Sequence, residues 1–346
     1  LDHTGFDIKF YSFIPTSRCI KFGLQKKCIV SLFGIIAPFL ILRRIFPKLS
    51  WIHIKVQDFI MGIFMRKCDI CISLTGYVYA PRIAQKKGAI IIMERGSKHI
   101  LEQKKILEKN PHKKNEAIPN RNIKCNLKAY QFANFISVAS QHVKESFLLH
   151  QYPENRIFVN PYGVDLSMFK PLPNIPKKYD VIMVGGWGYE KGCDLIVEAI
   201  RKTNYSFIHV GSIKDVDFPQ EKNFTHIDPV DQSKLIEYYN QAKVFILPSR
   251  QDGFGMVLSQ ALACNLPIIG SNNCGAPDLK KMVELPEYIT IIKDYTADAI
   301  VTAIHTAIKN YEQLGERIYA GNAIENLTWE AYGKRYANFL HKIIKQ

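Results

Sequence analysis

Short apolar runs alternate with helical stretches through most of the second half of this chain. YDVIMVGG (179–186) leads into CDLIVEAIRKT, YSFIHVGS (205–212) leads to DQSKLIEYYNQA, and KVFILPS (243–249) leads into an apolar helix near Met256. PIIGS and YITII continue the beat. Runs of four to six apolar residues without polar alternation must be covered on both faces. Parallel strands flanked by helices provide that cover, so the pattern predicts an α/β, doubly wound parallel sheet. Such sheets bind ligands at the carboxyl ends of their strands, in the turns leading to helices. That rule selects GGWGYEKG (185–192), GSIKDVD (211–217) and PSRQDGFG (248–255).

The first half keeps the same beat less regularly. DIKFYSFI (7–14), DICISL (69–74), AIIIME (89–94) and FISVAS (135–140) read as strands, with helices between several of them. The Pro-rich connector RIFVNPYGVDLSMFKPLP (156–173) is the best boundary in the chain, and 346 residues suit two domains, 1–165 and 166–328. The chain opens on Leu1 in what reads as mid-unit, so a strand and helix are expected to precede it. Residues 24–67 read as helical and basic-flanked. Their apolar run 28–42, bracketed by Lys26-Lys27 and Arg43-Arg44, is short for a membrane span of about 20 residues. It suits either a core helix or one lying in a membrane interface.

Charge separates the two halves. Residues 1–170 carry 27 lysines and arginines against 11 acids, whereas 171–346 carry 19 against 20. The first half should attract an acidic partner such as an anionic membrane or a phosphorylated lipid or glycan. Nucleic acid would satisfy the charge, but no basic-aromatic interleaving or nucleic-acid motif accompanies it. The eight cysteines lie mostly in apolar runs, which suits a reducing compartment. Cys68 and Cys71 form a lone CxxC with no second pair to complete a zinc site.

The three turns differ in content. VGGWGYEKG (184–192) brings Gly185, Gly186, Gly188, Lys191 and Gly192 together, so backbone can approach an anion, although the spacing is neither GxGxxG nor a P-loop. A plain tight turn would use the same glycines. PSRQDGFG joins an acid and two glycines to a helix start. Asp252 could simply cap that helix, or accept hydrogen bonds from sugar hydroxyls while the helix amides hold phosphate. Gln260 lies eight residues on, about two turns and roughly 12 Å along a helical face. That spacing suits two ends of one elongated ligand. Asp215-x-Asp217 is a minimal divalent-metal pattern in what reads as a surface turn, and no metal is expected there.

Together these motifs resemble the retaining glycosyltransferases of the GT-B fold, family 4. The resemblance covers about residues 130–340. It runs through Pro248-Ser249, Asp252-Gly253-Phe254-Gly255, Gln260, Ala261, Ala263 and Leu266-Pro267-Ile268-Ile269. The 184–200 loop and helix, HIDPVDQSKLIEYYNQAKVFILPS, NPYGVDLSMFKP and TWEAYGKRYANFL also match in order. The resemblance implies two Rossmann-like domains facing across a cleft, with a C-terminal helix (329–346) returning to the first. It implies that Lys191 neutralises a donor pyrophosphate and that Asp252 contacts the donor sugar. Amides of Gly255, Met256 and Val257 would bind phosphate or sugar, and Gln260 the ribose. Backbone near Pro229 and Val230 would hold the base. Gly185, Gly186, Arg250, Gly253 and Phe254 complete the implied donor site. MERGSKHILEQ (93–103) resembles an acceptor-side segment, which assigns Arg95, Gly96, Ser97 and His99 to the acceptor.

Three positions depart from the family pattern. Its two glutamates are Asp252 and Gln260 here, and its arginine five before the lysine is Gly186. Lys191 is then left alone unless Arg250 or a first-domain base joins it. The implied activity is metal-independent, cofactor-free transfer with retention. The donor is a nucleotide sugar and the acceptor a glycan or lipid-linked intermediate. Transfer would occur on the cytoplasmic face of the plasma membrane, for a cell-surface polysaccharide such as lipopolysaccharide. Other readings are a nucleotide-sugar epimerase on the same fold, a degenerate transferase, or a non-catalytic basic nucleic-acid- or membrane-binding protein.

Overall fold

The computed structural model describes residues 5–21, 23–46, 52–112, 118–315 and 317–345. The first half contains β1 (Phe10–Ser12), α1 (Thr16–Lys21), β2 (Ile29–Ser31), α2 (Phe33–Ile45), α3 (His53–Phe64), β3 (Ile70–Leu74), α4 (Tyr79–Lys86), β4 (Ile90–Arg95), α5 (Ile100–Leu107), α6 (Asn120–Phe132), β5 (Phe135–Val138), α7 (Gln141–Leu148) and β6 (Ile157–Val159). The second contains β7 (Tyr179–Val184), α8 (Cys193–Arg201), β8 (Phe207–Val210), β9 (Phe224–Ile227), α9 (Gln232–Gln241), β10 (Ala242–Leu247), α10 (Met256–Ala263), β11 (Ile268–Ser271), α11 (Ala276–Lys280), β12 (Ile289–Ile292), α12 (Ala297–Leu314) and α13 (Trp329–Ile344).

Every strand pair among these is parallel. The first half holds a four-stranded sheet, β3-β4-β5-β6, and a separate pair, β1-β2. The second holds six strands in the order β12-β11-β10-β7-β8-β9. Its core strands carry apolar residues on both faces: Val181 to Val184 and Val244 to Leu247 are buried without interruption. The order reverses between β7 and β10, so the turns leaving those two strands open side by side. That is where an open α/β sheet makes its ligand crevice. The edge strand β9, FTHI, was not legible in the sequence, because it is short and half polar.

The chain crosses between the domains twice, side by side. Val164 N–H donates to Leu327 O at 2.7 Å, and Val164 bridges Thr328. Thr328 then caps α13, its hydroxyl oxygen accepting from Ala331 N–H at 3.1 Å. Helix α13 lies on the first sheet, with Tyr336, Leu340 and Ile343 packed around Ile92. The Tyr336 hydroxyl also donates to Glu94 Oε1 at 2.6 Å.

Residues 24–67 depart from the helical expectation at their start. Ile29–Ser31 pairs with Phe10–Ser12 as a strand, because parallel pairing satisfies a backbone that a helix start at 24 would leave to solvent. Helix α2 is not a core helix. Ile36 is its one buried residue, while Ile35, Ile41, Leu42 and Ile45 are exposed. No helix among the described residues is long and apolar enough to cross a membrane, and residues 47–51 of this segment lie outside the described set. Helix α3 is fastened to the domain by buried Asp58. Its carboxylate accepts from the N–H groups of Val78, Tyr79 and Ala80 at 2.8, 2.7 and 2.8 Å, capping α4. Asp58→Ala orphans those donors and is expected to destabilise the first domain by about 2 kcal/mol. A lowered urea midpoint checks this, and Asp58→Asn should lose less.

Candidate functional site at the β7 and β10 carboxyl ends

The turn after β7 climbs from Gly185 to Gly192 and ends in a 3-10 turn, Tyr189–Lys191. Gly192 has φ +74° and lies so close to Pro248 that a Cβ would stand 2.4 Å from the Pro248 carbonyl oxygen. The turns after β7 and β10 are therefore locked together at the switch point. Arg250 N–H donates to Glu190 O at 2.9 Å across the same seam.

Lys191 and Asp252 meet there. Lys191 Nζ stands 2.5 Å from Asp252 Oδ2, with side chains 21% and 17% exposed. Burial opposes the charge on Lys191, but the Asp252 carboxylate, through charge and hydrogen bond, more than offsets it and raises the ammonium's pKa above its usual value. Asp252 Oδ1 also accepts from Phe254 N–H at 3.2 Å. Gly255, at φ +79°, is the N-cap of α10, with no side chain to cap the helix's first amides. Between the turns and the first domain lies a cavity of about 300 Å³. It is lined by Leu107, Gly186, Gly188, Glu190, Lys191, Lys214 and Asp215.

First-domain residues press directly on the 251–253 turn. Ser140 Oγ donates to Gly253 O at 2.6 Å, and His142 Nε2 donates to Asp252 O at 2.7 Å. Gln251 Nε2 donates to Ser97 Oγ at 2.7 Å, and Lys98 Nζ donates to Asn273 Oδ1 at 2.6 Å. Gly253 abuts Gly96 so closely that a Cβ would lie 2.0 Å from the Gly96 oxygen.

The residues expected at the site divide into those that face it and those that hold it. Lys191 and Gly186 line the cavity, Asp252 pairs with Lys191, and exposed Met256 opens α10, followed by half-buried Val257. Phe254 is 1% exposed, wedged between Gly275 and Tyr162, so it anchors the turn from behind. Arg250 forks onto Asp194 at 2.6 and 2.7 Å and stacks on Tyr189 at 3.8 Å, which ties its guanidinium to α8 rather than to the cavity. The carbonyl of Gly185 accepts from buried His209 Nε2 at 2.8 Å. Val230 is half buried in the turn between β9 and α9. Gln260 Oε1 accepts from the Tyr239 hydroxyl at 2.9 Å. Asp252 precedes α10, so its eight-residue spacing from Gln260 is not helical as expected; only the last turn of it is.

On the acceptor side the expectation needs correction. Arg95 spends its guanidinium internally, on Lys98 O, Asn126 Oδ1 and Gln103 Oε1 at 2.9, 3.1 and 2.6 Å. His99 caps α5 and stacks on His150 at 4.0 Å in the first domain's interior. Of that segment, Gly96 and Ser97 meet the other domain. Sequence reasoning missed Ser140, His142, Lys98 and Gln251. The strand-end rule, applied to FISVAS as it was to the second half, selects Ser140 and His142.

Asp215 accepts from Tyr189 N–H at 3.0 Å and from Asn110 Nδ2 at 2.7 Å, so it caps the 3-10 turn and ties the domains. Burial, then the neighbouring Cys68, pushes the Cys71 thiol up to about 12.

Residues 167–323 match the family described as glycosyl transferases group 1. Over those residues the second domain is similar to the glycosyl transferases group 1. A probable sucrose-phosphate synthase of Thermosipho melanesiensis is 26% identical over 242 residues, 62% of this chain and 56% of that protein. A GDP-mannose-dependent phosphatidylinositol monomannoside mannosyltransferase of Mycolicibacterium smegmatis is 23% identical over 60% of this chain and 62% of its own. The chain thus spans little more than half the length of these relatives. Among solved structures, Anabaena HepE in complex with UDP and glucose superposes with a TM-score of 0.63 at 14% identity, over 93% of this chain and 88% of that one. Sucrose-phosphate synthase from Thermosynechococcus elongatus gives 0.59 at 16% identity, over 80% and 74%. The fold is GT-B, and the group 1 match begins within the connector and ends before α13.

Acid should loosen both domains and the seam between them. Burial lowers His142 and His209 to about 4, the latter also under the charge of His226, and lowers His99 to about 3. A histidine held below its unfolded pKa of about 6.5 contributes stability that is complete above that value and is lost as pH falls through the folded pKa. The melting temperature is therefore expected to drop between about pH 6.5 and 4. His142→Asn should flatten part of that slope, read by thermal melts across the range.

Proposed function

We propose that this protein transfers a sugar from a nucleoside-diphosphate sugar to a hydroxyl acceptor, with retention and without a metal ion. The observation that carries the reading is the Lys191–Asp252 pair beside the cavity at the switch point of a group 1 domain. The bond between the sugar's anomeric carbon and the diphosphate breaks, and a bond to the acceptor oxygen forms on the same face. The acceptor's proton passes to the departing phosphate oxygen, so no protein base is required. Lys191 and the first amides of α10 stabilise the charge that develops on the diphosphate. Asp252 sets the position of the ammonium and offers a carboxylate to sugar hydroxyls, and backbone near Pro229 and Val230 takes the base. Ser97 and its neighbours close the acceptor side.

Thermal shift and donor hydrolysis test this. UDP, GDP or ADP should raise the melting temperature, and the matching nucleotide sugar should release diphosphate slowly. Asp252→Ala and Lys191→Ala should abolish the release. Failure of every nucleoside diphosphate to bind would sink the reading, and turnover without release of diphosphate would favour an epimerase.

The acceptor is best supported as a lipid-linked or surface glycan met at an anionic membrane. Ile41, Ile45, Phe59 and Ile63 are exposed by 63, 64, 54 and 58% on α2 and α3, with Arg43, Arg44 and Lys55 on the same helices. Apolar side chains rimmed by cations suit the interfacial region of a bilayer. Flotation with phosphatidylglycerol vesicles should carry the protein upward at low salt, and Ile41→Asp with Ile45→Asp should leave it at the bottom. Wild-type protein remaining unbound at low salt would refute the membrane reading.

A further inference from the structure

Gly186 lacks a side chain, and the space beside it is filled from another loop. A Cβ on Gly186 would stand 2.3 Å from Lys214 Cε and 2.7 Å from its Nζ. Lys214 therefore lies across Gly186 and brings its ammonium to the wall of the same cavity that Lys191 lines. Its backbone is held firmly there. Beyond the last paired residues of β7 and β8 the two strands continue to bridge, Trp187 to Ile213. Trp187 N–H donates to Ser212 O at 2.8 Å, and Lys214 N–H donates to Trp187 O at 2.9 Å. Fully buried Trp187 anchors this extension, with Phe207 and Phe218 against its ring.

The charges around the cavity show what such a lysine can do. Lys191 is already tied to Asp252. Asp215 is turned onto Tyr189 N–H and Asn110, and Glu190 Oε1 accepts from Gln251 Nε2. Among the described residues, Lys214 Nζ has no ion-pair partner. A diphosphate entering this cavity brings two or more negative charges to a wall where the other ammonium is half neutralised. We propose that Lys214 is the second cation of the diphosphate site, reaching over Gly186 to bind the phosphate farther from the nucleoside. This rests on the donor reading above and extends it to a residue outside the glycine turn.

Titration calorimetry with the full chain tests it. The probes are UDP, GDP and ADP, each beside its monophosphate. Lys214→Ala should weaken the diphosphate that binds wild type by about 10- to 100-fold, the range of one charge-assisted hydrogen bond. The loss for the matching monophosphate should be several-fold smaller. The chain is exposed at Lys214, so the variant should fold. Relocating the charge gives a second readout. Gly186 lies outside the left-handed region, so its backbone accepts a side chain once Lys214 is truncated. Gly186→Arg combined with Lys214→Ala should recover most of the lost affinity, whereas Gly186→Arg alone, colliding with Lys214, should gain nothing. Unchanged diphosphate affinity in Lys214→Ala would overturn the assignment and leave the donor reading standing. Absence of diphosphate binding to wild type would overturn both.

Discussion

Under the proposed reaction, Lys191→Ala is expected to lower sugar transfer by on the order of 10²- to 10³-fold, the scale of removing one preorganised group that stabilises developing charge. Two effects act together. In the proposed reaction the departing diphosphate would lose the ammonium that neutralises it, and Asp252 loses the cation standing 2.5 Å away. The unpaired carboxylate would then repel the diphosphate. Both side chains are about four-fifths buried, so water screens this repulsion poorly. The measurement is kcat/KM with the cognate donor, beside diphosphate affinity. Transfer within about tenfold of wild type would remove Lys191 from the reaction. Adding Asp252→Ala should restore part of the diphosphate affinity while leaving transfer low, because the repulsion goes but the cation stays absent.

Gly253→Ala is expected to reduce transfer by on the order of 10²-fold while both domains stay folded. Its Cβ would lie 2.0 Å from the Gly96 oxygen, 2.5 Å from the Gly96 carbonyl carbon and 3.0 Å from Ser97 N, all backbone atoms. Nothing there can turn aside, so the domains must part. Parting them breaks the hydrogen bonds from Ser140 to Gly253 O and from His142 to Asp252 O. Small-angle scattering should show a larger radius of gyration, and far-ultraviolet circular dichroism should be unchanged. Near-normal transfer with an unchanged radius would mean that this seam is not part of the working state. Ser140→Ala should show the same trend more weakly, since it removes one hydrogen bond without a collision.

How much of this was legible beforehand follows from what each signal depends on. The parallel sheet of the second half was readable, because burial on both faces forces uninterrupted apolar runs such as Val181–Val184. The GT-B fold came from the resemblance carried by the 248–269 and 184–200 motifs. Strand β9 escaped because an edge strand need not be apolar on both faces, and β2 escaped because its apolar residues run on into α2. Lys191 and Asp252 could be singled out because glycines and charge fall together in the turns that leave the strands at the switch point. Arg95 and His99 misled. A polar turn at a strand end looks the same whether its side chains face a cleft or fold back onto Asn126, Gln103 and His150.

The sequence by itself determined the periodicities, and through them a doubly wound sheet with candidate ligand turns at residues 185–192, 211–217 and 248–255. These are local properties, written in consecutive residues. Only the tertiary structure decided which charges share a space. Arg250, two residues from Asp252, is drawn away to Asp194, while Lys214, more than twenty residues from Lys191, lies across Gly186 on the same cavity. Chain separation carries no information about such pairs. The packing of Trp187 and the bridge to Ile213 set where the Lys214 backbone stands, and the missing side chain of Gly186 leaves the room that its ammonium takes.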